Sequence, residues 1–220
     1  MNALNISNND EGGQSSNECG YLELISGPMY SGKTSRLLNL YKQFKFCGIE
    51  ILTLNHSDDS TRYSATHLSS HDLITVPCTM TDSLNSIINL TDKEPIINNN
   101  NRISEEEFKK VRVILINEIQ FFKEEALEWI KCAVDKYNKH VYVCGLDGDF
   151  QRNKFGSWME YLLPLCDNHI KLHSYCSECK VKKAIFTHRI TREMAQKIIG
   201  IDCYVPLCRR CYIKINDVSS

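Results

Sequence analysis

The chain lacks any apolar run near the roughly 20 residues that span a bilayer, which excludes a helical membrane anchor within it. It also lacks a basic start followed by an apolar core. MNALNISNNDEGGQSSNECG stands there instead, so no secretory leader and a cytoplasmic location are expected. Net charge is scarce: 26 Lys/Arg against 27 Asp/Glu leave −1, with no long Lys/Arg run. That speaks against a dedicated nucleic-acid binder. A complete disulfide set is impossible, because the cysteine count is eleven. In a chain with no export signal these thiols are expected to be reduced. No internal repeat at solenoid spacing is present.

What remains is an ordinary globular composition. With 220 residues, 42% hydrophobic and 24% charged, the chain can build one large domain, or one with a small appendage. Residues 1–20, rich in Asn, Ser and Gly, read as a flexible tail, and 215–220 as a short one. Apolar runs at 21–26, 50–55, 73–77, 111–117 and 139–146 read as strands. Between them, helical spacing appears after Lys33 and over 81–90, 123–138 and 157–166. VRVILIN (111–117) is uninterrupted, which suits burial on both faces of a parallel sheet. The alternation predicts an α/β domain over 21–170, with helices on both faces of a parallel sheet. The polar stretch 91–110 reads as an inserted surface loop, and 56–72 as another loop. After about residue 170 short hairpin-like runs lie between cysteine pairs, so 171–214 is set apart as a small lobe. From Lys171 to Lys214 ten Lys/Arg and three Asp/Glu give +7, leaving −8 elsewhere. A basic lobe beside an acidic one suits an anionic ligand between them; a solvated basic surface is the alternative.

Gly27-Pro28-Met29-Tyr30-Ser31-Gly32-Lys33-Thr34 matches G-x-x-x-x-G-K-[ST] in full, between a strand and a helix. Its glycines let backbone N–H groups turn inward around phosphate oxygens, and the helix presents its positive end to the same anions. Lys33 is expected to reach the terminal phosphates of ATP, and Thr34 to ligate Mg²⁺. At the end of the strongest strand, Asn117 precedes Glu118. In phosphate-loop enzymes such a strand end carries the Mg²⁺-linked carboxylate. Glu118 is the candidate base for an attacking hydroxyl.

Cys176-Ser177-Glu178-Cys179 and Cys208-Arg209-Arg210-Cys211 form two C-x₂-C knuckles. Four thiolates in that pairing suit a tetrahedral, structural Zn²⁺ with a closed coordination shell.

A phosphate loop near the start and a four-cysteine lobe near the end resemble the zinc-containing thymidine kinases of the human cytosolic and poxviral type. NEIQFF (117–122), LDGDFQRNKFG (146–156), TRYS (61–64) and SHD (70–72) support the resemblance, which covers about residues 21–214. It implies a RecA-like domain and a lasso lobe closing over the nucleoside. It implies transfer of the γ-phosphate of ATP to the 5′-hydroxyl of thymidine, and of deoxyuridine, in nucleotide salvage for DNA synthesis. Matched by position, Glu118 is the proton acceptor. Gly27 to Thr34, Ser60, Thr61, Arg62 and Asn117, Glu118, Ile119 and Gln120 fall at nucleotide contacts. Phe150 packs on the thymine ring; Met29, Phe121, Leu146, Phe155 and Thr187 line the base pocket. Ala195, Gln196, Lys197, Ile198, Ile199 and Tyr204 belong to the lasso. The family further implies a homotetramer inhibited by thymidine triphosphate.

Three departures stand out. Asn117 replaces the family's Asp, Asp149 replaces a small uncharged residue, and the 91–110 connection is longer. Asp59, Asp147 and Asp149 are the carboxylates near enough in motif terms to compensate for Asn117. The alternatives are a kinase for another base, a DNA-linked ATPase gripping DNA through its zinc ribbon, and an inactive homologue.

Overall fold

A computed structural model of the chain describes residues 19–59, 66–69, 75–90, 101–193, 195–196 and 203–217. Strand β1 (Tyr21–Ser26) leads into the phosphate loop and helix α1 (Lys33–Phe46). That helix stops in a way its sequence dictates. Gly48 adopts φ +72, Gly48 N–H donates to Lys45 O and Ile49 N–H to Phe44 O. This is the Schellman pattern, and Ile49 and Phe44 share one buried cluster beneath it.

Strand β2 (Ile51–His56) follows, then β3 (His67–Ser69), β4 (Thr75–Pro77) and β5 (Thr79–Thr81). Helix α2 (Glu105–Lys110), strand β6 (Val113–Asn117), helix α3 (Glu125–Asp135) and strand β7 (His140–Gly145) complete the middle of the chain. Helix α4 (Trp158–Leu162) and strand β8 (Asn168–Lys171) close the α/β domain. The sheet has six strands in the order β5-β2-β6-β7-β1-β8, and every pairing in it is parallel. Alternate residues of each strand serve opposite faces, as the two-residue period requires. Val113 and Leu115 join Leu37 and Phe44 of α1, whereas Ile114 and Ile116 join Trp129 and Ile130 of α3. All of β6 is therefore buried.

The α/β class, the parallel sheet and four of its five expected apolar runs, 21–26, 50–55, 111–117 and 139–146, are as expected. The third run does not enter the main sheet: Thr75–Pro77 pairs antiparallel with β3, a strand inside the supposed 56–72 loop. The neighbouring β5 takes the sheet position beside β2 instead. The expected helix over 81–90 reduces to a 3₁₀ turn at Leu84–Ser86, where the Thr81 and Ser86 hydroxyls both donate to Ser83 O. Side-chain bonds of this kind compete with continued helix. The 91–110 segment is not loop throughout. Ser104 and Glu107 form a reciprocal capping box, and Phe108 of α2 is 1% exposed against Trp129 and Tyr137. The 157–166 helix shortens to α4 plus a 3₁₀ turn at Leu163–Leu165, where Pro164 cannot continue the ladder. Strand β8 was not expected.

Beyond Lys171 lie the hairpin pairs β9 (Ser174–Tyr175) with β10 (Lys183–Ala184), and β11 (Phe186–Arg189) with β12 (Tyr204–Leu207). Helix α5 (Arg209–Asp217) starts inside the second cysteine knuckle, so residues 215–217 are helical where a tail was expected. Residues 1–18, 91–100 and 218–220 of the expected tails and insertion lie outside the described residues.

Candidate active site

A cleft opens where the carboxyl ends of the parallel strands meet the small lobe. Its floor is the phosphate loop. Gly27 sits at φ +150, and a Cβ there would meet Leu172 O at 2.5 Å and Ser31 Oγ at 2.8 Å. Only glycine closes this turn. Gly32, at φ +83, starts α1 without a side-chain cap, leaving backbone N–H groups facing the cleft. Lys33 is buried and donates to Pro28 O at 2.8 Å, which folds its ammonium back over the loop. Ser31 Oγ is buried with no hydrogen-bond partner among the described residues. An anion seated on the loop supplies what that hydroxyl and the helix end lack.

Glu118 stands at the end of β6 in the left-handed region, φ 56, and lines the cleft. Its carboxylate accepts from Gln120 Nε2, while Gln120 Oε1 accepts from Leu146 N–H at 3.0 Å. Leu146 N–H can only donate, so it fixes the Gln120 amide and aims its NH₂ at Glu118. Glu118 is thereby oriented from the next strand. Gln120 and Ile119 are themselves buried, Ile119 in the core, and neither lines the cleft. Asn117 is also off the cleft surface. It is 1% exposed, donates to Asn55 Oδ1 at 3.0 Å and accepts from Cys144 Sγ at 2.9 Å.

Met29, Phe121, Leu146, Phe150, Phe155, Thr187 and Tyr204, which the family resemblance assigned to the nucleoside, all line this same cleft. Thr187 Oγ1 accepts from Met29 N–H at 3.0 Å, stitching the small lobe to the phosphate loop. Gln196 lines the cleft and donates to Asp149 Oδ2 at 2.9 Å. Asp149 Oδ1 accepts from the N–H groups of Gln151 and Asn153, so this buried carboxylate is consumed by its own turn and by Gln196. Ala195 is exposed and contributes its carbonyl to Arg189. Ser60, Thr61, Arg62, Lys197, Ile198 and Ile199 lie outside the described residues, as do the TRYS and SHD strings.

The sequence reading missed Ser35 and Ser69 of the cleft wall, and Arg189, which packs on the cleft residue Phe150. Arg189, 4% exposed, donates to the carbonyls of Glu193, Ala195 and Gln196 and to Tyr204 Oη at 2.6 Å. The signal for it was strand alternation: two residues from Thr187, it shares the same face. Ser69 of β3 and Asp59 complete the wall.

Away from the cleft, Cys176, Cys179, Cys208 and Cys211 bring their sulfurs within 4.8 Å of one another. Cys179 Sγ and Cys208 Sγ are 3.9 Å apart. A tetrahedral S₄ set with Zn–S of about 2.3 Å has S···S near about 3.8 Å, so the donors fit such an ion. The backbone N–H groups of Val181 and Lys182 pull the Cys179 thiol down to about 6, toward the ligating thiolate. The four cysteines thus form a site able to bind a metal.

Comparison with known proteins agrees with this geometry. The thymidine kinase family profile matches residues 20–212. A thymidine kinase of Oryza sativa subsp. japonica is 36% identical over 195 residues, 88% of this chain and 66% of that protein. The Choristoneura fumiferana entomopoxvirus thymidine kinase is 30% identical over 90% of this chain and 99% of its own. The cytosolic thymidine kinase of Bos taurus is 32% identical over 97% and 80%.

Proposed function

Because the chain belongs to the thymidine kinase family, we propose that it transfers the γ-phosphate of ATP to the 5′-hydroxyl of thymidine. The observation that carries this reading is one cleft holding a phosphate loop, an oriented carboxylate and an aromatic base pocket together.

The phosphate loop and Lys33 bind the ATP phosphates. To reach them, Lys33 exchanges its bond to the neutral Pro28 carbonyl for one to an anionic phosphate oxygen. Glu118 accepts the proton of the 5′-hydroxyl as that oxygen attacks phosphorus. Gln120 keeps the carboxylate aimed while its neighbours exclude water. Thymine stacks on the face of Phe150 turned away from Arg189, since the guanidinium covers the other. Arg189 holds three lasso carbonyls, which fixes the strap presented to the pyrimidine edge. The cleft offers hard-oxygen donors for Mg²⁺, namely the Thr34 hydroxyl and the Asp59 carboxylate. When bound with ATP, Mg²⁺ neutralises charge developing on the β- and γ-phosphoryl oxygens. Cys176, Cys179, Cys208 and Cys211 would hold a structural Zn²⁺, which would tie down β12 and α5, and with them Tyr204. With this activity the protein would serve nucleotide salvage for DNA synthesis.

Incubating the protein with ATP, Mg²⁺ and a panel of nucleosides tests this. Thymidine 5′-monophosphate is the expected main product, with deoxyuridine a weaker substrate. Phosphorylation of none of the panel, together with DNA-stimulated ATP hydrolysis, would overturn it.

A further inference from the structure

Asn117 occupies the strand end where a carboxylate was expected, and its surroundings explain how the chain tolerates this. His56 N–H donates to Asn55 Oδ1 at 3.1 Å. A backbone N–H cannot accept, so it fixes which end of the Asn55 amide is oxygen. Asn117 must then offer its NH₂ to that same oxygen, 3.0 Å away. Its own oxygen accepts from the Cys144 thiol. The other end of Asn55 donates to Asp59 Oδ2 at 3.0 Å. The result is a one-way chain, Cys144 to Asn117 to Asn55 to Asp59, that ends on a buried carboxylate in the cleft wall.

Two consequences follow. The Asn117 amide is used at both ends, so it is committed to the strand interior. Aspartate at 117 would place a carboxylate oxygen against Asn55 Oδ1. Turning the Asn55 amide would then set its oxygen against Asp59 and its NH₂ against His56 N–H. Asn55 therefore satisfies one carboxylate, at 59 or at 117, and not both. The other two candidates are engaged elsewhere: Asp147 pairs with Lys171 at 2.7 Å, and Asp149 holds the Gln196 tether.

We propose that Asp59, positioned by Asn55 and Asn117, is the carboxylate this chain uses toward the nucleotide-bound divalent ion. The proposal rests on the kinase reading of the cleft. It makes Asn117 a positioning residue and the 59/117 pair a relocated charge.

The experiment is calorimetric titration of the full chain with Mn²⁺ in the presence of a non-hydrolysable ATP analogue. It compares wild type, Asp59→Asn, Asn117→Asp and the double variant, with a thermal midpoint for each. Asp59→Asn is expected to weaken Mn²⁺ binding by about 10–100-fold, with analogue affinity in the absence of metal kept within about threefold of wild type. Asn117→Asp is expected to lower the thermal midpoint without tightening Mn²⁺. The double variant is expected to recover Mn²⁺ affinity at least tenfold over Asp59→Asn. Unchanged Mn²⁺ affinity in Asp59→Asn, or tighter Mn²⁺ in a fully stable Asn117→Asp, overturns the proposal and leaves the kinase reading standing. Should Asp59→Asn not fold, the double variant decides: Mn²⁺ affinity within tenfold of wild type supports relocation, and a greater loss overturns it. A wild-type protein that binds no analogue overturns the kinase reading and this proposal together.

Discussion

The Arg189 guanidinium lies 3.8 Å from the ring centroid of Phe150, and its bonds to the lasso make that contact rigid. Tyr212 Oη donates to the Phe150 backbone carbonyl at 2.6 Å. Phe150 is thus held by two residues of the small lobe, so anything that loosens the lobe reaches this wall of the cleft. Arg189→Lys keeps the charge but loses the planar fork that serves several carbonyls at once. It is expected to raise the KM for thymidine about tenfold or more, with ATP affinity little changed. Steady-state kinetics in both substrates checks this; an unchanged thymidine KM contradicts it.

Gln120→Leu removes the bridge between Leu146 N–H and Glu118. The carboxylate stays but loses its aim, and misplacement of a reacting group costs up to about 10²-fold. We expect kcat to fall by about 10–100-fold with ATP affinity nearly constant. Gln120→Glu, which cannot donate to Glu118 when ionised, is expected to fall as far. Kinetics equal to wild type in either variant contradict the positioning role.

Cys179→Ser is expected to bring zinc content toward zero and to lower the thermal midpoint. Structural zinc contributes directly to folding free energy. Activity falls with it, because the metal site and Tyr204 share the β12–α5 unit. Elemental analysis of wild type and variant is the check. Wild-type protein without zinc, unaffected by chelators, contradicts it.

Lys139 is buried and donates to the carbonyls of Phe108 and Val111 at 2.9 and 2.6 Å, closing the end of α2. Burial pushes its ammonium down to about 8 from the usual 10.5. Between those values the unfolded chain binds more protons than the folded one. Stability from this group therefore rises with pH across that window, and its desolvation cost is fully present below it. Lys139→Met is expected to cost about 1–3 kcal/mol through orphaned carbonyls. The wild-type advantage in thermal midpoint is expected to grow from pH 8 to 10.5. A difference that stays flat with pH contradicts the assignment.

Much of this architecture was legible in the residues. Uninterrupted β-branched runs such as 111–117 are read the same way by any parallel sheet, and the phosphate loop carries its own turn chemistry. That Phe150 and Phe155 line the cleft was legible only through the family strings, because both look like core residues on spacing alone. What stayed hidden depends on partners distant in sequence. Thr75–Pro77 and Thr79–Thr81 are both short and apolar enough, and only their neighbours decide which enters the main sheet. Arg189 reads as one more basic residue in a basic lobe until the lasso carbonyls surround it. The capping box at Ser104 and Glu107 was visible but lay within a polar run that reads as loop. The Asn55–Asp59 bond spans a turn that no periodicity marks.

The central claim is that Glu118 takes the proton of the thymidine 5′-hydroxyl in this cleft. Its most direct measurement is thymidine phosphorylation by Glu118→Gln beside ATP binding by the same protein. The variant keeps the shape but cannot accept the proton. A positioned base contributes about 10²–10⁴-fold, so turnover should fall by that factor while the ATP dissociation constant stays within about threefold of wild type. Near-normal turnover in Glu118→Gln would contradict the account.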